Sequence, residues 1–344
     1  LNYAQLIRER RTIRRFNPTP VEPDLVVSLL TEAANLYAAE STPRWRCLYA
    51  GTQESRQRLV ESMLAKMKES KFGKLIPAKM IHYFIKQITD IPSHLIFIAE
   101  SAPDRRQSDE NYAAVCSVMQ NFLLLGWERG LGALWDTDPM LQSESFLAEI
   151  GLREGERFAG ILHAGYFDKA PRARRRTPAE QKWTVIGGDG NPDELRSDNV
   201  RISEQRILEV LNDAVWAPND GLREPWRFIY VTGSRATRQL PGGLDGNPSP
   251  DILLVVAKEE ADSHKQEEDY AAVCCLIQNF QLLSKSKPWY ARRTVPEWIY
   301  DRDQCKPFGI LPQERIVAVM EIGENDESLP SAPSAPPMLN ITHL

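Results

Sequence analysis

The sequence predicts an α+β chain built from two tandem α/β sandwich units, and two observations carry that prediction. One is a long internal repeat, and the other is the helix- and strand-period patterning that both copies share. Glu110-Asn-Tyr-Ala-Ala-Val-Cys, continuing through Leu125, recurs as Glu268-Asp-Tyr-Ala-Ala-Val-Cys, continuing through Leu283, at an offset of 158 (268 − 110). The same offset relates Glu156-Arg157 to Glu314-Arg315 and Gly165 to Gly323. Upstream, Trp45-Arg46 matches Trp226-Arg227 and Ala33 matches Ala214, at an offset of 181 (214 − 33). The second copy therefore lacks 23 residues (181 − 158) that the first carries between about Ser55 and Pro92.

Each copy reads helix, helix, strand, strand, long helix, final strand. Residues 24–36 place Leu25, Leu29, Leu30, Ala33 and Leu36 on one helical face. Short strands are expected at Cys47–Ala50 and Phe228–Val231, where Trp226 enters the strand as a core residue. The unbroken apolar runs Leu95–Ala99 and Ile252–Ala257 read as strands buried on both faces. The repeated helix is apolar around much of its circumference (Ala113, Ala114, Cys116, Val118, Met119, Phe122), as a helix inside a core should be. Phe158–Ala164 and Ile316–Ile322 close each copy. The domain reading is copy one at 1–185, a linker at 186–200, copy two at 201–324 and a Pro/Ser-rich tail at 325–344, disordered or draped as an arm. The extra segment around Leu59–Lys86 is either a lid over a substrate pocket or a helix packed on the exterior.

Composition narrows the function. A chain of 344 residues has room for two domains, and a net charge of -5 argues against general nucleic-acid binding, so any positive function must be local. The five cysteines show no C-x-x-C spacing, and three lie in apolar helical runs, so they read as small buried hydrophobes of a reducing compartment. The five histidines (His82, His94, His163, His264, His343) have neither metal nor triad spacing and read as structural or surface residues, so no metal is expected. Leu1–Arg15 carries charges where a signal peptide would be apolar, and the apolar runs fall short of the ~20 residues of a membrane span. The expectation is a cytoplasmic protein that does not associate with membranes.

Two basic segments stand out in this acidic chain. Arg10, Arg11, Thr12 and Arg14 gather guanidinium and hydroxyl donors suited to a phosphate. Alone, they could equally form a solvated basic helix end. A second cluster, Lys169 to Arg176 with Arg172, Arg174, Arg175 and Arg176, calls for a shared anion or an acidic partner, of which a phosphate is preferred. In copy two, Ala217-Pro218-Asn219-Asp220-Gly221-Leu222 forms a Pro- and Gly-bearing turn whose backbone can approach a flat ring closely. The copy-one counterpart, Leu36–Trp45, has no Ala-Pro turn. Copy one instead carries Gly130-Leu-Gly-Ala-Leu-Trp135-Asp136-Thr137, where copy two has Pro288–Thr294 without glycines.

In order and spacing these segments resemble the nitroreductase family of FMN enzymes. That family opens with an R-R-S-x-R-x-F-like segment, has P-S-x-x-N-x-Q-P-W-R-F after the first helix and G-L-G-x-x-W-x-T after the core helix, and ends in a basic tail. The resemblance covers roughly residues 1–185 and 200–323. It implies an FMN-dependent oxidoreductase that takes electrons from NADH or NADPH at flavin N5 and passes them, ping-pong, to a small organic acceptor. It implies cofactor binding by Arg10, Arg11, Thr12, Arg14, Arg174 and Arg176 at the phosphate, and by Trp135, Asp136 and Thr137 at the N5 edge. Pro218, Asn219, Asp220 and Leu222 would cover the ring. Family members are usually homodimers with FMN at the interface, so this chain reads as a monomeric, intramolecular pseudo-dimer. The other half-site faces Asn191–Arg196, whose carboxylates would repel a phosphate, and a tail turned acidic at Glu324–Glu327. One FMN per chain, between the copies, is the expectation. Asn219 for Ser, Leu222 for Asn and Glu224 for Gln depart from the family, leaving an FMN-dependent oxidase or dehydrogenase and a non-catalytic flavin-storage protein as alternatives.

Overall fold

The computed structural model describes residues 1–37, 44–69, 77–187, 202–233, 237, 240–242, 251–324 and 339–344. These residues form a mixed α+β chain with two five-stranded sheets. They divide into two compact units: Glu9–Ala173 with Ala332–Leu344, and Leu1–Arg8 with Arg174–Ser331.

The first unit contains α2 (Pro23–Asn35), β1 (Trp45–Ala50), α3 (Gln53–Glu69), α4 (Ala78–Thr89), β2 (Ser93–Glu100), α5 (Arg105–Glu128), β3 (Leu131–Asp136), α6 (Glu144–Glu149), β4 (Glu156–Tyr166) and β10 (Ile341–His343). Its sheet runs β10-β1-β2-β4-β3, with β10 parallel to β1 and the other neighbours antiparallel. The second unit contains β5 (Trp183–Gly187), α7 (Glu204–Ala214), β6 (Trp226–Thr232), β7 (Asp251–Lys258), α8 (Ser263–Ser284), β8 (Trp289–Thr294) and β9 (Glu314–Glu324). Its sheet runs β5-β6-β7-β9-β8, with β5 parallel to β6. Helix α1 (Tyr3–Glu9) spans the division, and within the second unit Arg8 is ion-paired to Asp213.

The two sheets repeat in register as well as in order. Gly132 lies opposite Gly165 and Tyr290 opposite Gly323, and the irregularity between Phe97 and Ile98 recurs between Val255 and Val256. Both central strands are buried on both faces, which is why their sequences are unbroken apolar runs rather than alternating ones. Several of the polar residues that the repeat preserves hold the fold together. The Asn121 side chain donates to the Ala33 carbonyl (2.9 Å), and Asn279 does the same for Ala214 (3.1 Å). Each bond fixes the long helix against the preceding one by satisfying a carbonyl at the end of α2 or α7. Arg46 grips both oxygens of Glu156 (2.7 Å each) and the Gly151 carbonyl, and Arg227 grips Glu314 and the Gly309 carbonyl in the same fashion. Arg157 stacks over the Tyr112 ring at 3.7 Å, and Arg315 over Tyr270 at 4.7 Å.

Four strands were not foreseen. β3 and β8 are short, and β5 is half-exposed on an expected linker, so none carries a strong period-two pattern; pairing with a neighbour makes each one a strand. Of the two readings of the tail, Ile341–His343 takes the arm, pairing with β1 as β10, whereas residues 325–338 lie outside the described residues, as do 188–200 of the linker. The compact units also exchange ends relative to the repeat, since Arg174 onward groups with copy two and the C-terminal segment with copy one. In the extra segment, Leu59 and Met63 of α3 join a core cluster with Leu48, Ile96, Phe146 and Phe158, so α3 packs on the sheet. All five cysteines are buried and free, as expected. No helix among the described residues is long and apolar enough to cross a membrane.

Candidate functional site

The basic segment after α1 is built onto the edge strand of the first sheet. Ile13 N–H donates to the Ala133 carbonyl at 3.0 Å, Thr12 bridges Ala133 in parallel, and Asn17 N–H reaches the Tyr166 carbonyl at 2.8 Å. Glycine at 132 makes this approach possible. A Cβ there would overlap the Ile13 side chain and stand 2.7 Å from Phe167. Ile13 is buried, Arg10 is 6% exposed, Arg11 and Thr12 are half-buried, and Arg14 is exposed. Arg11 donates from Nη1 to the Arg10 carbonyl at 2.9 Å. Burial lowers the Arg11 pKa against the opposing charge of Glu9, but a guanidinium stays protonated through any ordinary shift. This donor set, three guanidiniums and a hydroxyl on a braced backbone, fits a phosphate chemically.

Trp135, Asp136 and Thr137 follow on the same strand and into the next loop. The Trp135 indole donates to the Ala159 carbonyl (3.1 Å) and packs against Gly160, whose φ of 131° suits a residue without Cβ. Its side chain is thus part of the sheet, and Thr137 is half-buried beside it. The Asp136 carboxylate accepts from Asp138 N–H at 3.0 Å and faces His163 Nε2 at 3.2 Å. His163 Nδ1 in turn lies 2.6 Å from His94 Nδ1, both histidines being buried. Burial raises the Asp136 pKa, but the His163 hydrogen bond, the Asp138 amide and the charges of His163 and Arg14 outweigh it, so the net shift is downward. This Asp-His-His chain had no signal in the sequence, because 136, 163 and 94 become neighbours only through antiparallel pairing.

The copy-two turn lies in the other unit. Asn219 braces it: Oδ1 accepts from Glu224 N–H at 3.0 Å, and Nδ2 donates to the Ala217 carbonyl at 3.3 Å. Asp220 is exposed and paired to Arg223 at 2.7 Å, while Pro218 and Leu222 are half-buried. Glu224, buried, accepts from Thr177 N–H through both oxygens (3.0 and 3.3 Å) and is joined by Lys182, fastening the segment that carries Arg174 and Arg176. Arg174 is exposed; Arg176 donates to its carbonyl (3.2 Å) and lies 5.3 Å over Trp216. Trp226 is core, as expected, at 3% exposure. Leu222 and Glu224 have φ of 58° and 45°, left-handed values that cost a non-glycine residue on the order of 1 kcal/mol. Replacing Leu222 by Asn, which tolerates that region, should raise the denaturant midpoint of this unit by about 1 kcal/mol equivalent. An unchanged or lower midpoint would show that Leu222 packing outweighs the strain.

The equivalent positions of copy two are filled differently. Tyr290 stands where copy one has Gly132, and its ring is 2.7 Å from where a Cβ on Gly323 would be. Arg292 of β8 is ion-paired to Glu321 of β9. The strand face that receives Ile13 in copy one is therefore covered by an aromatic side chain in copy two. The acidic counterpart of the clamp, Asn191–Arg196, lies outside the described residues, as do positions 38–43 of the copy-one turn.

Among the expected site residues, Arg10, Arg11, Thr12, Arg14, Trp135, Asp136 and Thr137 fall in one unit. Arg174, Arg176, Pro218, Asn219, Asp220 and Leu222 fall in the other. Arg174 and Arg176 thus fall in the unit that holds the turn, in which β5 pairs with β6. No cluster of potential metal ligands occurs among the described residues.

The profile of the Nitroreductase family matches residues 7–166. A Bacillus subtilis protein named as an NAD(P)H nitroreductase is 30% identical over 181 residues, covering 53% of this chain and 92% of its own length. The crystal structure of a nitroreductase-like family protein from Bacillus cereus aligns at 36% identity and a TM-score of 0.50, over 55% of this chain and 97% of its own. A Thermotoga maritima structure described as a nitroreductase aligns over 95% of both chains at 12% identity and a TM-score of 0.46.

Proposed function

Because the chain belongs to the Nitroreductase family, we propose that it is an NAD(P)H-dependent FMN oxidoreductase acting on a small organic acceptor, with one FMN per chain. The observation that carries this reading is the clamp segment seated on Gly132 in copy one, set against Tyr290 at the same position in copy two. Bound FMN supplies the hydride chemistry, and the protein supplies binding, orientation and electrostatics. Arg10, Arg11, Thr12 and Arg14 hold the phosphate, with Arg174 and Arg176 as further guanidinium donors. The backbone of Trp135–Thr137, steadied by the Trp135 hydrogen bond and by the pairing of β3 with β4, presents amide groups to the ring edge. Pro218, Asn219, Asp220 and Leu222 cover the ring, on a turn whose strained backbone is braced by Asn219. No side chain need act as acid or base. Nicotinamide and acceptor use the cofactor in turn, a ping-pong sequence, and the chain works as a monomer because both halves of the site lie in one polypeptide.

Flavin titration followed by anaerobic reduction tests this. The expected result is saturation at one FMN per chain and rapid bleaching by NADH or NADPH. Saturation at two FMN per chain contradicts the single site. Slow bleaching with fast reoxidation in air selects an oxidase, and a flavin that does not bleach selects storage.

A further inference from the structure

The chain of half-buried Asp136 and the buried His163 and His94 has no part in the function just described, and its geometry is specific. The carboxylate can only accept, so His163 Nε2 carries the proton at the 3.2 Å contact. At 2.6 Å the two Nδ1 atoms share one proton, which in the neutral pair belongs to His94. The rings meet edge to face with centroids 4.9 Å apart, and the two residues are register partners on β2 and β4. The result is a directed relay, His94 to His163 to Asp136. Its last oxygen is taken by His163 and the other by the Asp138 amide. The Thr12–Ala133 bridge is parallel, so exposed Arg14, two residues on, runs alongside Trp135 and Asp136, within electrostatic reach of this carboxylate. An unrestrained Asp136 would compete with any anion for that guanidinium. The copy without the clamp has also lost all three groups: at an offset of 158, Ile252 replaces His94, Glu321 replaces His163 and Thr294 replaces Asp136.

We propose that His163 is a positioning residue that holds the Asp136 carboxylate away from Arg14, leaving the Arg14 guanidinium to the flavin phosphate. The proposal rests on the FMN reading above and deepens it. It concerns the phosphate and not the ring, so FMN and riboflavin should respond differently, which a merely structural histidine would not cause.

The test measures dissociation constants of both flavins for the flavin-stripped full chain, by quenching of flavin fluorescence. His163→Leu should weaken FMN by about tenfold or more and leave riboflavin within about twofold of wild type. Adding Asp136→Asn to His163→Leu should return FMN to within about threefold of wild type, because the competing charge is gone. His163→Gln, which keeps an N–H donor, should also stay within about threefold. Equal weakening of both flavins by His163→Leu, or no recovery in the double variant, overturns the proposal. If His163→Leu does not fold, Asp136→Asn alone decides: FMN affinity equal to or tighter than wild type supports competition, and a loss of about tenfold refutes it. A wild-type chain that binds neither flavin overturns the FMN reading itself, and the proposal with it.

Discussion

A chain in which Arg10 and Arg14 are both alanine is expected to purify without flavin and to bind added FMN roughly 10²–10⁴-fold more weakly than wild type. Each arginine offers hydrogen bonds to a charged acceptor, worth about 1.5–3 kcal/mol apiece, and the loss of two such partners compounds. Arg10 is buried and its backbone is tied to Arg11, so its replacement also has a structural cost. Arg14 is exposed, and Arg14→Ala alone separates the two effects: melting temperature unchanged, FMN affinity down. Asp193→Ala with Glu194→Ala, in the acidic segment opposite the clamp by sequence, should leave FMN retention intact. Retention of FMN by the Arg10/Arg14 double variant would remove the phosphate clamp from this segment.

The second large effect concerns stability. Glu156→Ala should destabilise the copy-one unit by about 3 kcal/mol or more, because it leaves the buried Arg46 guanidinium without its charged partner. The Glu156 pKa is lowered chiefly by the Arg46 hydrogen bond, against opposing burial, with the Arg153 amide assisting. A carboxyl whose folded pKa lies below its unfolded value of about 4.3 contributes fully above that value, and the contribution is lost as pH falls through the folded pKa. Wild type should therefore lose stability between about pH 5 and 3 more steeply than Glu156→Gln, as read by urea midpoints across that range. Glu314 repeats the arrangement with Arg227. Burial raises its pKa, and the Arg227 hydrogen bond, the Leu311 amide and the Arg227 charge together outweigh this, so Glu314→Ala should destabilise the other unit in parallel. Indifference of either unit to its variant would mean that the preserved Arg–Glu pairs are not stabilising elements.

Much of the fold was legible because the repeat carries it. The buried strands at Leu95–Ala99 and Ile252–Ala257 and the long helices α5 and α8 stood in the sequence as apolar runs of the right length. What Arg46 and Asn121 do was not legible, since a preserved polar residue looks the same whether it binds a ligand or a carbonyl. The clamp segment and the Gly-Leu-Gly edge were readable as local runs, and the structure brings them together through Ile13 and Ala133. The histidine relay was invisible, because His94 and His163 are spaced for nothing until β2 and β4 pair.

The sequence by itself determined that this chain is double, that its copies have diverged, and which copy retained a basic segment and which an Ala-Pro turn. These are properties of order and composition, and they need no coordinates. Only the tertiary structure decided that β5 joins the sheet of copy two and β10 that of copy one, so that the compact units are not the repeat units. The physical reason is that short, half-exposed edge strands carry little pattern of their own. Their place is set by which sheet edge offers unpaired backbone groups, a non-local condition that no window of sequence contains.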